Sequence, residues 1–270
     1  MIERMTERAM QNRWMRIAIT LAAGMMLGGA AMAAEEAGHE GAAEEHGVNW
    51  QEWKAGNEVN NAASLQRGAA NFVNYCMGCH SLKYMRYQRM ADDLNISTEQ
   101  LQANLIPTGA KPTDYMISNF PAVDAEAWFG RAPPDLSLVA RSRGADWVYR
   151  FLKGFYVDQT RPMGTNNLAL EGASMPAVLS DLEGVKAAVF AAGPAGHEGR
   201  NVERFESVAP GRLKPEEFDT FVRDTVNFLD YASDPSQVQR RSIGLWVVLF
   251  LLVFTAFAWF LKKEYWKDVT

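Results

Sequence analysis

Cys76-Met77-Gly78-Cys79-His80 constrains this chain more than any other feature, because it holds both of the protein's cysteines and sets a histidine directly after the second. C-x-x-C-H is the pattern of covalent haem attachment: each thiol adds to one vinyl group of the porphyrin, and the next residue offers an imidazole to one face of the iron. A chain of this kind folds around its prosthetic group. Two other uses of paired cysteines fit poorly. A structural zinc site needs four ligands, usually two pairs, and there is no second cysteine pair, while His39, His46 and His197 are scattered through Gly-, Ala- and Glu-rich stretches. A thioredoxin-like dithiol sits between a strand and a helix, whereas Leu65, Ala69, Phe72, Val73 and Cys76 form a helical stripe leading into the motif. One haem c through Cys76 and Cys79, ligated by His80, is therefore expected. Attachment consumes both thiols, so neither a disulfide nor a free thiol is expected.

Both ends of the chain address a membrane. Arg13 and Arg16 precede an apolar run ending in Ala31-Met32-Ala33, a small-x-small cleavage pattern, so residues 1–33 read as a secretory signal peptide. At the other end, Ile243 to Leu261 is an uncharged run of nineteen residues, long enough to span a bilayer core. Trp246, Trp259, Tyr265 and Trp266 suit the two interfaces. Arg240 and Arg241 flank one end, and Lys262, Lys263 and Lys267 the other, so basic residues alone barely orient the span. The leader orients it: a main domain at 50–239 outside the bacterial inner membrane, in the periplasm, one transmembrane helix at 243–261 and a cytoplasmic tail at 262–270. Residues 34–49 read as a disordered acidic segment. The whole chain is formally −5, and because both ends are basic the stretch from 34 to 239 carries about −10. That charge suits neither nucleic acid nor anionic lipid, and would steer a basic protein partner.

The main domain reads as mainly α, a class I cytochrome c-like helical haem domain with long loop insertions. Residues 81–131 look irregular with short helical pieces, one opened by Ser97 as N-cap with Gln100 at the capping-box position. Asp135 reads as the cap of a short helix that ends at Gly144, and Ala145 to Leu152 as a further helix. Residues 155–214, rich in Gly, Pro and Asn, read as a long loop region, and no stretch alternates as a sheet would. Pro215-Glu216-Glu217 opens a helix that Asp234-Pro235 stops before the anchor. An electron carrier's iron needs a second axial ligand, and methionine opposite histidine raises the potential. Of thirteen methionines, Met175 in Ala173-Ser174-Met175-Pro176 and Met163 in Arg161-Pro162-Met163-Gly164 are the candidates, with a second histidine or an open site as the remaining alternatives.

Taken in order, these features resemble the cytochrome c1 family. The resemblance rests on Ser64-Leu65-Gln66-Arg67-Gly68 before the C-x-x-C-H, Arg131-Ala132-Pro133-Pro134-Asp135-Leu136-Ser137, Arg141-Ser142-Arg143-Gly144, Ala173-Ser174-Met175-Pro176 and a terminal helix running into one anchor. It implies Met175 as the second ligand beside His80, and Arg143 as the partner of a haem propionate. An aromatic that is often tyrosine in relatives is Trp147 here, so a propionate bond would come from its indole N–H or be lost. The resemblance further implies a subunit of quinol–cytochrome c reductase, a proton-translocating and dimeric complex. The subunit would have no catalysis of its own. It would take electrons from a Rieske-type iron–sulfur protein, sit beside cytochrome b and pass electrons to a soluble cytochrome c. An anchored shuttle or oxidase-linked cytochrome outside such a complex is the alternative, against which the Pro133-Pro134-Asp135-Leu136-Ser137 element speaks. A haem sensor with a labile ligand is disfavoured by the rigid Met175-Pro176 loop.

Overall fold

The computed structural model describes residues 47–191 and 201–268. The leader at 1–33, His39, His46, His197 and all but 47–49 of the acidic segment lie outside the described residues; Val48 forms a β-bridge with Val202. In chain order the elements are α1 (Ala62–Tyr75), β1 (Leu82–Arg86), α2 (Tyr87–Asp93), α3 (Thr98–Asn104), β2 (Tyr115–Met116), α4 (Ala122–Phe129), α5 (Val139–Arg143) and α6 (Ala145–Lys153). There follow β3 (Phe155–Val157), β4 (Thr165–Asn167), α7 (Ser180–Glu183), β5 (Gly184–Phe190), β6 (Val202–Pro210), α8 (Pro215–Ser233) and α9 (Gln237–Tyr265).

The core is built on α1 crossing α8. Asn61 caps α1 by accepting the Ser64 backbone N–H at 3.2 Å. The buried face of the helix presents Leu65, Ala69, Phe72 and Val73 to Val222, Val226, Phe228 and Leu229 of α8. Phe72 and Phe228 meet at 5.8 Å between ring centres, and each large side chain so buried contributes about 1.5–3 kcal/mol. At the crossing Gly68 has no room for a side chain: a Cβ there would stand 2.1 Å from the Asp224 carbonyl oxygen. Beside it the buried Asp224 carboxylate accepts Ser64 Oγ at 2.6 Å and Arg67 Nη2 at 3.0 Å, so this buried charge is paired.

The expected capping box is present at α3, where Gln100 N–H donates to Ser97 Oγ and Ser97 N–H donates to Gln100 Oε1. α8 opens on Pro215, and the Lys214 N–H donates to Glu217 Oε2 at 2.9 Å. Its C-cap is Asp234, before Pro235. α9 spans 29 residues, roughly 43 Å at the helical rise. None of its residues is buried, and it is long and apolar enough to cross a membrane.

Two expectations about this region need correction. Residues 155–214 are no plain loop: β3 pairs antiparallel with β4, and β5 with β6. The pairing of β5 was hidden because each of its residues is half-buried, which erases the alternation, and because bulges break its register at Val185/Lys186 and Val189/Phe190. Nor does Asp135 cap a helix. Its carboxylate accepts the backbone N–H groups of Lys83 and Ser137, and α5 begins four residues later after Leu138, whose side chain makes no cap bond.

Candidate haem site

The attachment motif is a tight corner hung from the end of α1. The Phe72 carbonyl accepts both the Cys76 and Met77 N–H groups, at 2.9 and 2.8 Å, and the Cys76 carbonyl accepts those of Cys79 and His80 at 3.1 and 2.8 Å. Met77 is the anchor: it is buried, and its sulfur accepts Tyr87 Oη–H at 3.4 Å. Seating Met77 inward leaves Cys76 half-buried against the edge of the core and Cys79 exposed. Ser118 Oγ–H donates to the Gly78 carbonyl at 3.0 Å and pins the loop from outside.

His80 is oriented by the Pro-Pro-Asp-Leu-Ser element, a role the sequence did not disclose. Its Nδ1 lies 2.7 Å from the Pro134 carbonyl oxygen, which can only accept, so Nδ1 carries the proton and Nε2 keeps its lone pair. Burial lowers the His80 pKa, opposed by the Pro134 bond and by Asp135, which favours the neutral imidazole that a metal needs. The element itself is zipped along the chain that follows the motif. Leu136 N–H donates to the Ser81 carbonyl at 2.9 Å, Lys83 N–H to Asp135 Oδ2 at 2.9 Å, and Tyr84 N–H to the buried Ser137 Oγ at 3.2 Å. The only hint in the sequence was the pair of prolines, whose carbonyls have no strand or helix to serve.

Burial, and next the neighbouring Cys79, push the Cys76 thiol up to about 12. That shift disfavours the thiolate a redox pair or a zinc site would use. Among the described residues no group of three or more His, Cys, Asp or Glu side chains could hold a metal ion. Two thiols at a surface corner, followed by an imidazole with Nε2 free, are the donor set that haem c requires, and these residues fit it.

Burial also sorts the methionines. Of those described, Met77, Met85, Met90 and Met116 are sealed in the core, and only Met163 and Met175 are half-buried. Met175 packs on the fringe of the same core as Tyr75, Cys76, Leu136, Trp147 and Phe151. Met163 lines a cleft of about 230 Å³ together with Pro176, Glu183 and Lys186. Arg143 ends α5, and Gly144 at φ 91° turns the chain into α6, a conformation open to glycine. The turn lays the Arg143 guanidinium over the Trp147 ring, 4.7 Å from its centre.

Comparisons with known proteins place the chain among haem c carriers. The Cytochrome C1 family model matches residues 52–188 and 207–269. The chain is 49% identical over 214 residues to a cytochrome c1 of Allochromatium vinosum, covering 78% of this chain and 87% of that one. It is 41% identical over 206 residues to a Nitrosomonas europaea protein named ammonia monooxygenase gamma subunit, covering 76% of this chain and 83% of that one. Over 287 residues it is 28% identical to a cytochrome c1 of Rhodospirillum rubrum, covering 92% and 96%.

Proposed function

The chain belongs to the cytochrome c1 family, and from that premise we propose that it is the haem subunit of a proton-translocating quinol–cytochrome c reductase. It takes single electrons from the iron–sulfur protein and passes them to a soluble cytochrome c. Haem c, when bound, supplies the one-electron chemistry. The chain's own residues would hold it: Cys76 and Cys79 through thioethers, with His80 Nε2 and the Met175 sulfur as the donors to iron. Arg143 pairs with a propionate, since a carboxylate drawn into protein needs a cation. The observation that carries this reading is the His80–Pro134 bond, which aims a neutral, singly protonated imidazole from the end of the C-x-x-C-H corner.

α9 anchors the subunit beside cytochrome b, within a dimeric complex. The signal-peptide pattern at 1–33 supports a periplasmic main domain and a cytoplasmic C-terminus. The acidic charge of the main domain supports docking of a basic acceptor.

Rapid mixing of quinol with membranes containing the assembled complex tests the place in the chain of transfer. The c-type haem should become reduced, and should stay oxidised in membranes lacking the iron–sulfur subunit. Reduction at the same rate without that subunit would overturn the proposal in favour of an independent anchored carrier.

A further inference from the structure

Arg143 stands apart from the other arginines that flank the core. Arg67, Arg141 and Arg240 each pair with a buried or nearly buried carboxylate. Arg143 is exposed, and among the described residues its contact is with a ring: its guanidinium lies 4.7 Å from the centre of the Trp147 indole. That indole is itself held. It stacks on Phe151 at 5.3 Å and 12° between planes, and Phe151 meets Phe155 edge-on at 5.3 Å. The three rings form a column up one side of α6 and into β3, and the cation caps it. An indole is the strongest of the side-chain rings for this contact, and a guanidinium stacked on it keeps its N–H edge free. The Trp147 N–H makes no hydrogen bond among the described residues.

We propose that Trp147 is a positioning residue for the haem: its face, braced by Phe151, holds Arg143 with its donor edge turned out for a propionate. The proposal rests on Arg143 pairing with that propionate, as in the function proposed above. It assigns the aromatic at this place a role through the arginine, and not through a hydrogen bond of its own. A guanidinium kept in place favours the ferrous haem, because the added positive charge opposes the extra positive charge of the ferric state. Losing the ring face frees Arg143 to swing into water and lowers the potential.

The test is a double-mutant cycle on the full haem-loaded chain, read as midpoint potential by redox titration. Arg143→Gln should lower electron affinity about tenfold, ~59 mV for a one-electron couple. Trp147→Leu should give a smaller fall in the same direction, and Trp147→Phe, which keeps a ring face but no N–H, should stay near the parent. The Arg143→Gln/Trp147→Leu pair should fall no further than Arg143→Gln alone. Additive falls, or Trp147→Phe falling as far as Trp147→Leu, would overturn the proposal and give the indole N–H a direct contact. A potential unmoved by Arg143→Gln would overturn it from the other side by removing the arginine's role. Either failure leaves covalent haem and quinol-driven reduction intact, and so is distinct from failure of the electron-carrier function. If Trp147→Leu does not fold, Trp147→Met takes its place in the cycle.

Discussion

Gly68→Ala sets two effects against each other, and the structure decides the sign. Helix propensity alone favours alanine at a mid-helix position by about 1 kcal/mol. In α1, however, the new methyl would stand 2.1 Å from the Asp224 carbonyl oxygen and 2.7 Å from Phe228 Cβ, where ordinary contact begins at 3.4 Å. One neighbour is backbone and the other is the first side-chain atom of a fully buried phenylalanine, so neither moves without the helix that carries it. The pair must open by an amount on the order of 1 Å in a close-packed core. Overpacking of this kind costs ~1–3 kcal/mol, and two rigid neighbours place it at the upper end. After the propensity offset a net loss of about 2 kcal/mol remains, a fall in Tm of roughly 4–8 °C for a domain of this size. The assay is thermal unfolding of the haem-loaded chain in detergent, followed by helical circular dichroism. Ala63→Gly, at an exposed position of the same helix, is the yardstick for propensity alone. Both variants should melt lower than the parent, Gly68→Ala by the larger margin. An unchanged or raised Tm for Gly68→Ala would refute the close-crossing argument.

Truncation after Gln239 should release a soluble protein that still carries covalent haem, because the proposed haem residues precede that point and α9 buries nothing against the domain; fractionation and a haem stain check it. Asp234 joins the domain to the anchor by accepting Arg141 Nη1 at 3.0 Å and Arg240 Nη1 at 2.9 Å. The Arg240 bonds, with help from Ser236 and Arg141, hold its carboxyl down to about 2 against burial. Its stabilising effect is thus complete above the ordinary carboxylate range and is lost as pH falls through about 2. Asp234→Asn should accordingly speed proteolysis at this junction at neutral pH. With about −10 on the stretch from 34 to 239, electron transfer to a basic cytochrome c should slow steeply with salt, screened over roughly 8–10 Å; a flat stopped-flow profile would remove electrostatic steering.

What could be seen in advance follows the range of the interactions. Caps, the proline-led start of α8 and the apolar anchor are local, and the Cys76–His80 corner is a five-residue chemical signature, so these stood out. The β5–β6 pair did not, because β5 lies half-buried along its length, β6 is mostly exposed, and their register slips twice. The bond that orients His80 joins residues 54 apart, and the adjacent prolines do not say which group Pro134 would accept. Asp135 was recognisable as a residue that satisfies backbone N–H groups, but which ones depended on how Lys83 came to lie alongside. Trp147 looked like a substituted hydrogen-bond donor, and only the turn at Gly144 brings Arg143 onto its face.

The central claim is an iron held between His80 and Met175 in a carrier of single electrons. Its most direct test is the midpoint potential of Met175→Leu measured beside Met163→Leu and the parent, each as the full haem-loaded chain. Leucine fills similar volume without a donor to iron. The account predicts that Met175→Leu keeps its covalent haem but falls in potential, while Met163→Leu stays with the parent. An unchanged potential in Met175→Leu, with the fall appearing in Met163→Leu, would contradict it.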